Sequence, residues 1–128
     1  MCKYNNMEIL YLKLLTTIMF LISGVYKLID PSISMKKLMK CPFVTIKNNR
    51  LLMIVILLAG IWEIIASLGV YIGNKQQSTM SVYSLAVFTV LATLLCHFPP
   101  VGYTYYPFIS NVTTLGGLLC LAELIKHQ

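Results

Sequence analysis

Residues 57–70, with the sequence LLAGIWEIIASLGV, carry a glutamate, Glu63, near the middle of an otherwise apolar run. The run lies within a longer apolar segment, and three further segments of similar length occur in the chain. Each is close to the roughly 20 residues that a helix needs to cross a hydrocarbon core about 30 Å thick. The four segments are about 9–28, 51–73, 80–98 and 108–125. We therefore predict an all-α, polytopic membrane protein, in which residues 1–128 form one antiparallel bundle of four transmembrane helices.

The composition supports a membrane protein rather than a soluble or nucleic-acid-binding one. Of the 128 residues, 58% are hydrophobic and 11% are charged, whereas a soluble domain is typically about 45–50% apolar and about a quarter charged. The net charge of +6 does not indicate nucleic acid, because most basic residues cluster in or beside the first loop, where anionic lipid headgroups explain them. These residues are Lys27, Lys36, Lys37, Lys40, Lys47 and Arg50.

The first and third loops are more than plain linkers. Asp30-Pro31 ends the first span, because the residue before a proline is pushed away from helical dihedral angles. The following stretch alternates apolar residues with serine and lysine, which is typical of a short amphipathic helix lying in the membrane interface. The third loop is rich in proline and aromatic residues. Its aromatic residues fit either an interfacial belt or a stacking platform for a ligand: Tyr103, Tyr105, Tyr106 and Phe108.

The loop charges give a weak indication of orientation. Antiparallel connectivity places loops one and three on one side of the membrane and both termini on the other. The six basic residues in or beside loop one outnumber the four on the opposite side, which are Lys3, Lys13, Lys75 and Lys126. This bias favours a cytoplasmic first loop. The compartment and the specific membrane stay open.

Glu63 is the first candidate for a functional residue. A charged residue at the centre of a spanning helix costs roughly 2.5–3.5 kcal/mol on insertion, so an intramembrane carboxyl is a functional candidate by default. Small residues at helical spacing around Glu63 permit close helix approach and should turn it towards the bundle. They are Ala59, Gly60, Ala66, Ser67 and, one turn further, Val70. Two interpretations stay open: a functional carboxyl, or a structural hydrogen bond between helices.

His97 is the second candidate, at the end of the third span. The topology places it at the same mouth of the bundle as Lys27, Asp30 and Asn111, which are candidates for ligand binding together with Tyr105. The alternative for His97 is an interfacial aromatic residue with a satisfied ring nitrogen.

Haem, zinc and dithiol sites are not indicated. A bis-histidine haem would need a second histidine inside the membrane, and His127 belongs to the opposite side. The four cysteines contain no C-x-x-C pair. We interpret Cys96 and Cys120 as small packing residues on their helices. Gly116 and Gly117 in the fourth span predict a tight packing seam.

Four motifs in the same order are similar to those of the DoxX family of four-helix membrane proteins, which shares a clan with the surfeit-locus cargo receptors. The motifs are SGVYKLIDP at 23–31, LAGIWEIIASLGVYIG at 58–73, His97, and NVTTLGGLLCL at 111–121. The family pattern maps onto Gly24 and Lys27, onto Glu63, and onto Asn111 with Gly116 and Gly117. This chain departs from it after the glutamate, where Ile64, Ile65 and Ala66 replace glycines.

The resemblance implies an association with membrane redox chemistry, since the family includes a subunit of thiosulfate:quinone oxidoreductase. We therefore expect an accessory subunit that holds a quinone in a hydrophobic cleft, with Glu63 and His97 exchanging protons, and with a partner subunit or soluble reductant supplying electrons. The alternative is a non-enzymatic membrane adaptor related to the cargo receptors. A small proton-coupled transporter ranks last. A homo-oligomer is compatible with each of these.

Overall fold

The computed structural model describes residues 5–41, 44, 48–98 and 100–127, except for the side chain of Tyr103. Lys3 and Lys47, which the predictions above name, lie outside this part of the chain, as does Cys2. The described residues form five α-helices and one 3₁₀ turn. These are α1 Asn6–Ile29, α2 Pro31–Met39, α3 Asn49–Gly69, α4 Lys75–Cys96, the turn Gly102–Thr104, and α5 Tyr105–Lys126.

Four of these helices, α1, α3, α4 and α5, are long and apolar enough to cross a membrane. In the most apolar 18-residue stretch of each helix, only 22–33% of the residues are buried. Most of the surface of each helix therefore lies outside the bundle. The outward side chains are largely aliphatic, as a lipid-facing surface requires. The predicted all-α, polytopic bundle is confirmed.

The helices pack as two close pairs. α1 packs mainly against α3, and α4 mainly against α5. The α3–α4 hairpin joins the pairs, a lighter contact between α1 and α5 closes the bundle, and α2 lies against α3. The centre is filled by apolar side chains from several helices, including Phe20, Val70, Val82, Leu85 and Leu118.

The predicted break at Asp30 and the helix in loop one are confirmed. Asp30 ends α1 with a backbone N–H bond to the Tyr26 carbonyl, and its side chain also accepts the backbone N–H of Ser32 at the start of α2. Pro31 opens α2, where the missing N–H costs nothing. α2 has no buried residue, which fits a helix lying at the interface.

The helix ends differ from the predicted bounds because capping groups extend or shorten the helices. α4 begins at Lys75 rather than about residue 80, since Asn74 and Gln77 form a capping box that stabilises a polar first turn. α3 ends at Gly69. The chain then reverses through Gly73, whose φ of +94° favours glycine.

Gly24 of α1 and Gly60 of α3 lie against each other where these two helices meet. A Cβ added to Gly24 would lie 2.8 Å from the Gly60 carbonyl oxygen, and one added to Gly60 would lie 3.0 Å from that of Gly24. Absence of both side chains thus permits the two backbones to touch. All four residues predicted to pack between helices, Gly24, Gly60, Ala66 and Ser67, are buried.

Gly116 and Gly117 do not pack against another helix of the bundle. A Cβ added to either would meet no atom within 4 Å. α5 instead turns a different face inward, formed by Leu118, Leu121, Ala122 and Ile125. The predicted seam at Gly116 and Gly117 is therefore wrong within this chain, because the larger aliphatic residues provide the buried face.

Candidate functional site

Glu63 pairs with Lys27 inside the bundle. The Lys27 ammonium lies 2.8 Å from Glu63 Oε1 and 2.7 Å from Oε2, so it donates to both carboxylate oxygens. The Glu63 side chain is 3% exposed and that of Lys27 is 17% exposed. The prediction that Glu63 faces the bundle is confirmed. Its partner is a cation that the sequence had placed at the bundle mouth.

The glycine contact explains how the two side chains meet. Lys27 and Glu63 each follow a contact glycine, Gly24 or Gly60, by three residues. Helical side chains lean towards the N-terminus of their own helix, so both lean back towards the level of that contact. Ser23 lies there too: Lys27 donates to its hydroxyl at 2.8 Å, and the hydroxyl donates to Glu63 Oε1 at 3.4 Å.

Aromatic residues border the ion pair on the α4 side. The Lys27 ammonium lies 5.5 Å from the centroid of the Phe88 ring, within the range of a cation–π contact. Trp62 packs edge-on against Phe88 at 5.3 Å and donates to the Ser84 hydroxyl at 2.7 Å. The Glu63 charge is thus neutralised and its surroundings are well packed. This arrangement suits a fixed link between helices better than a carboxyl that exchanges protons.

Cys41 and Cys96 form a disulfide. It joins the segment after α2 to the last residue of α4, and 55 residues separate the two cysteines in the sequence. The interpretation of Cys96 as a packing residue is therefore wrong, and the chain does hold a dithiol pair. Cys120 is free and exposed. The bond lies at the mouth of the bundle, where loops one and three meet.

His97 follows the disulfide directly and caps the C-terminus of α4, just outside the span. Its backbone N–H donates to the Thr93 carbonyl at 2.9 Å. Partial burial lowers the pKa of the His97 imidazole, because loss of water disfavours the charged ring. The ring is therefore neutral at pH 7 and has a nitrogen that can accept a proton.

The other predicted mouth residues are held by separate partners. Lys27 turns to Glu63, Asp30 caps α2, and the Asn111 amide donates to the Thr93 hydroxyl at 2.9 Å. Within the part of the chain that is described, no hydrogen bond or ion pair joins these three side chains to one another or to His97. The predicted polar cluster does not form, because each side chain satisfies its polar atoms within or between neighbouring helices.

A lateral groove runs between α4 and α5, close to the disulfide. Its volume is about 170 Å³, and five of its eight lining residues are apolar. Thr93, one of its lining residues, precedes Cys96 by three positions on α4, a rise of about 4.5 Å along the helix. The other lining residues are Thr89, Val90, Leu94, Phe108, Asn111, Val112 and Leu115.

Tyr105 and Tyr106 begin α5 and are exposed, so both lie on the helix rather than in the loop. Phe108 lines the α4–α5 groove. Exposed tyrosines at the end of a span agree with an interfacial belt. The ring of Tyr103 lies outside the described part of the chain.

The pairing of Cys41 with Cys96 was not predicted, although the sequence carries one signal for it. The predicted topology already placed the first loop and the end of the third span on the same side of the membrane, and each holds one cysteine. Phe88 beside the ion pair carried no comparable signal in the sequence. Among the described residues, no group of three His, Cys, Asp or Glu side chains is placed to hold a metal ion.

No family model, no curated protein and no solved structure matches this chain.

Proposed function

We propose that this chain is a DoxX-like membrane subunit of a quinone-linked redox system, and that Cys41 and Cys96 are its own redox-active pair. The disulfide at the bundle mouth carries the proposal. It supplies a two-electron couple that the motifs of the sequence lack. It also lies at the end of a membrane bundle, where a soluble or membrane-bound thiol partner and a lipid-soluble electron acceptor are both within reach.

The chemistry balances as a transfer of two electrons. A reduced partner dithiol attacks the Cys41–Cys96 disulfide through thiolate exchange, which leaves the partner oxidised and both cysteines as thiols. When Cys41 and Cys96 form their bond again, they release two electrons and two protons, which convert a quinone to a quinol. We assign His97, which follows Cys96 in the sequence, as the residue that takes up one of these protons.

We assign the quinone ring to the groove between α4 and α5. Its volume of about 170 Å³ is similar to that of cavities of about 150 Å³ that hold benzene in other proteins. Its apolar walls suit the ring, and its lateral opening would let an isoprenoid tail extend into the lipid. Thr89, Thr93 and Asn111 are the polar residues of its lining. A bound quinone would supply the electron acceptor for the two thiols.

The Lys27–Glu63 pair has a different role in this proposal. Neither residue lines the α4–α5 groove, and each neutralises the other. We assign them to holding α1 against α3. The earlier expectation that Glu63 exchanges protons with a quinone receives no support from this geometry, and His97 is the remaining candidate.

The test measures, under anaerobic conditions, how much quinone the cysteine pair reduces. A Cys2→Ser/Cys120→Ser background leaves only Cys41 and Cys96, which are reduced, freed of reductant and placed in liposomes. Decylubiquinone is added because its fully substituted ring resists thiol addition. The expected result is one quinol formed per disulfide, with the disulfide measured by maleimide gel shift. Quinone reduction that persists in Cys41→Ser/Cys96→Ser, or thiols that stay reduced, would overturn the proposal.

A groove variant separates the quinone site from the thiol chemistry. Val90→Phe places a ring in the groove, whereas Val87→Phe adds the same volume at an exposed site on α4 that is not part of the lining. We expect the first to slow quinol formation at least tenfold and the second to leave it unchanged. Equal rates in both variants would place the quinone elsewhere.

A non-enzymatic membrane adaptor is the second candidate. Its specific support is that the Lys27–Glu63 ion pair and the Cys41–Cys96 disulfide each join separate segments of the chain, as a rigid scaffold requires. In that case the disulfide would resist reduction by a thiol–disulfide exchange protein. Measuring its reduction potential against glutathione distinguishes the two functions, because structural disulfides have potentials below about −300 mV.

A further inference from the structure

A second groove lies at the opposite end of the bundle, where α4 begins and α5 ends. Its volume is about 350 Å³, twice that of the groove near the disulfide. Two lysines, Lys75 and Lys126, line it. This groove is therefore basic, whereas the groove near the disulfide has no charged residue in its lining. The other lining residues are Gln76, Thr79, Met80 and Tyr83.

The polar groups of this groove favour a ligand with negative charge. Lys126 donates to the Tyr83 hydroxyl at 2.7 Å and to Glu123 Oε1 at 3.1 Å. An ammonium has three N–H donors, and these two contacts within the described part of the chain use two of them. Lys75 and Gln76 belong to the first turn of α4. The positive end of the helix dipole lies there and adds to the attraction of an anion.

The position of the groove makes a lipid the natural ligand. The first turn of α4 and the last turn of α5 are the ends of two spans, and span ends lie at the level of lipid headgroups. Met80 lines the groove and is 63% exposed. It therefore offers an apolar surface to an acyl chain next to the charged residues.

From these contacts we propose that this groove is a binding site for an anionic phospholipid, with the lipid phosphate between Lys75 and Lys126 and an acyl chain along Met80. Glu123 opposes binding, since its carboxylate already occupies one donor of Lys126. The site does not depend on the redox chemistry proposed above.

The test is native mass spectrometry of the purified chain titrated with phosphatidylglycerol or with phosphatidylcholine. Each basic residue near a membrane surface contributes about fivefold to the affinity for anionic lipid. We expect one phosphatidylglycerol to bind more tightly than phosphatidylcholine. Lys75→Gln should weaken it about fivefold, and Lys75→Gln/Lys126→Gln about 30-fold, on the same basis.

The matched control is Lys36→Gln/Lys37→Gln, which removes the same charge from α2 at the other end of the bundle and should leave the tight site unchanged. Gln76→Glu tests the site without removing a contact. An acidic residue in the first turn stabilises a helix, so a loss of lipid affinity in this variant cannot be attributed to unfolding. Glu123→Gln should strengthen binding.

Two results would overturn the proposal. One is equal affinity for the two phospholipids in the wild-type chain. The other is an equal loss of phosphatidylglycerol binding in the α2 control and in the groove variant, which would show that total charge rather than this groove attracts the lipid.

Discussion

Lys27 Nζ lies 2.7 Å from Glu63 Oε2, next to the point where the backbones of α1 and α3 touch. The two features depend on each other. Without a glycine at both contact positions, the helices would separate and the two side chains would lose their short link. Without the ion pair, each charge would be left inside a bundle that is apolar around it. The contact and the charges together therefore determine how α1 and α3 pack.

Removing one partner of the ion pair should destabilise the bundle strongly. Lys27→Met leaves the Glu63 carboxylate buried without its cation, and loss of one partner of a buried pair typically costs about 3–5 kcal/mol. The double variant Lys27→Met/Glu63→Met should recover most of that loss, because it leaves no uncompensated charge. The free energy of unfolding in mixed micelles checks this. A double variant as unstable as the sum of both single variants would contradict it.

Alanine at the glycine contact should also destabilise the bundle. Gly24→Ala places a Cβ 2.8 Å from the Gly60 carbonyl oxygen, so the backbones must separate, at a cost of about 1–3 kcal/mol. Gly116→Ala is the matched control, because its Cβ meets open space and alanine favours a helix. Unfolding in mixed micelles should separate the two variants. Similar stabilities would mean that the contact at Gly24 relaxes without cost.

The disulfide should contribute to stability besides any redox role. It closes a loop of 55 residues, which corresponds to about 4 kcal/mol in the chain-entropy treatment. Cys41→Ser/Cys96→Ser should therefore unfold at a clearly lower denaturant concentration than wild type. Cys120→Ser, at an exposed site, should change the stability by less than about 0.5 kcal/mol. If the first variant matches the second, the bond does not constrain the fold.

The disulfide also predicts the orientation in the membrane. Stable disulfides occur on the oxidising side of membranes, so we expect the ends of α2 and α4 to face away from the cytosol. The count of basic residues in or beside loop one favours the opposite orientation, but by only six residues to four. A fluorescent protein that matures only in the cytosol, fused to the C-terminus, should fluoresce. If the fusion protein is intact but does not fluoresce, the orientation indicated by the charges is favoured.

His97 should make the stability depend on pH. Burial lowers its pKa in the folded state, so below the unfolded value of about 6.5 the unfolded chain binds more protons. Stability is therefore expected to fall as the pH decreases through this range and to be insensitive to His97 above it. His97→Gln should remove this part of the dependence, as measured by unfolding at several pH values. An unchanged pH profile would assign the dependence to another group.

The membrane bundle is determined by the sequence itself. In lipid, every backbone N–H and C=O of a span needs a partner within the helix, so a long apolar segment forms a helix. The number of such helices can therefore be counted from the sequence. The break at Asp30-Pro31 and the amphipathic helix α2 likewise depend only on residues that are close together in the sequence. The inward direction of Glu63 follows from the small residues at helical spacing on the same face.

The partners of the polar side chains were decided only by the tertiary structure. Lys27 and Glu63 are 36 residues apart, and their meeting depends on how far α1 is shifted along α3, which the Gly24–Gly60 contact sets. The rotation of α5 decides whether Gly116 packs or stays exposed, and the path of the chain after α2 brings Cys41 to Cys96. Helix formation follows from backbone hydrogen bonds within one segment, whereas shift, rotation and cross-links depend on all segments packing together.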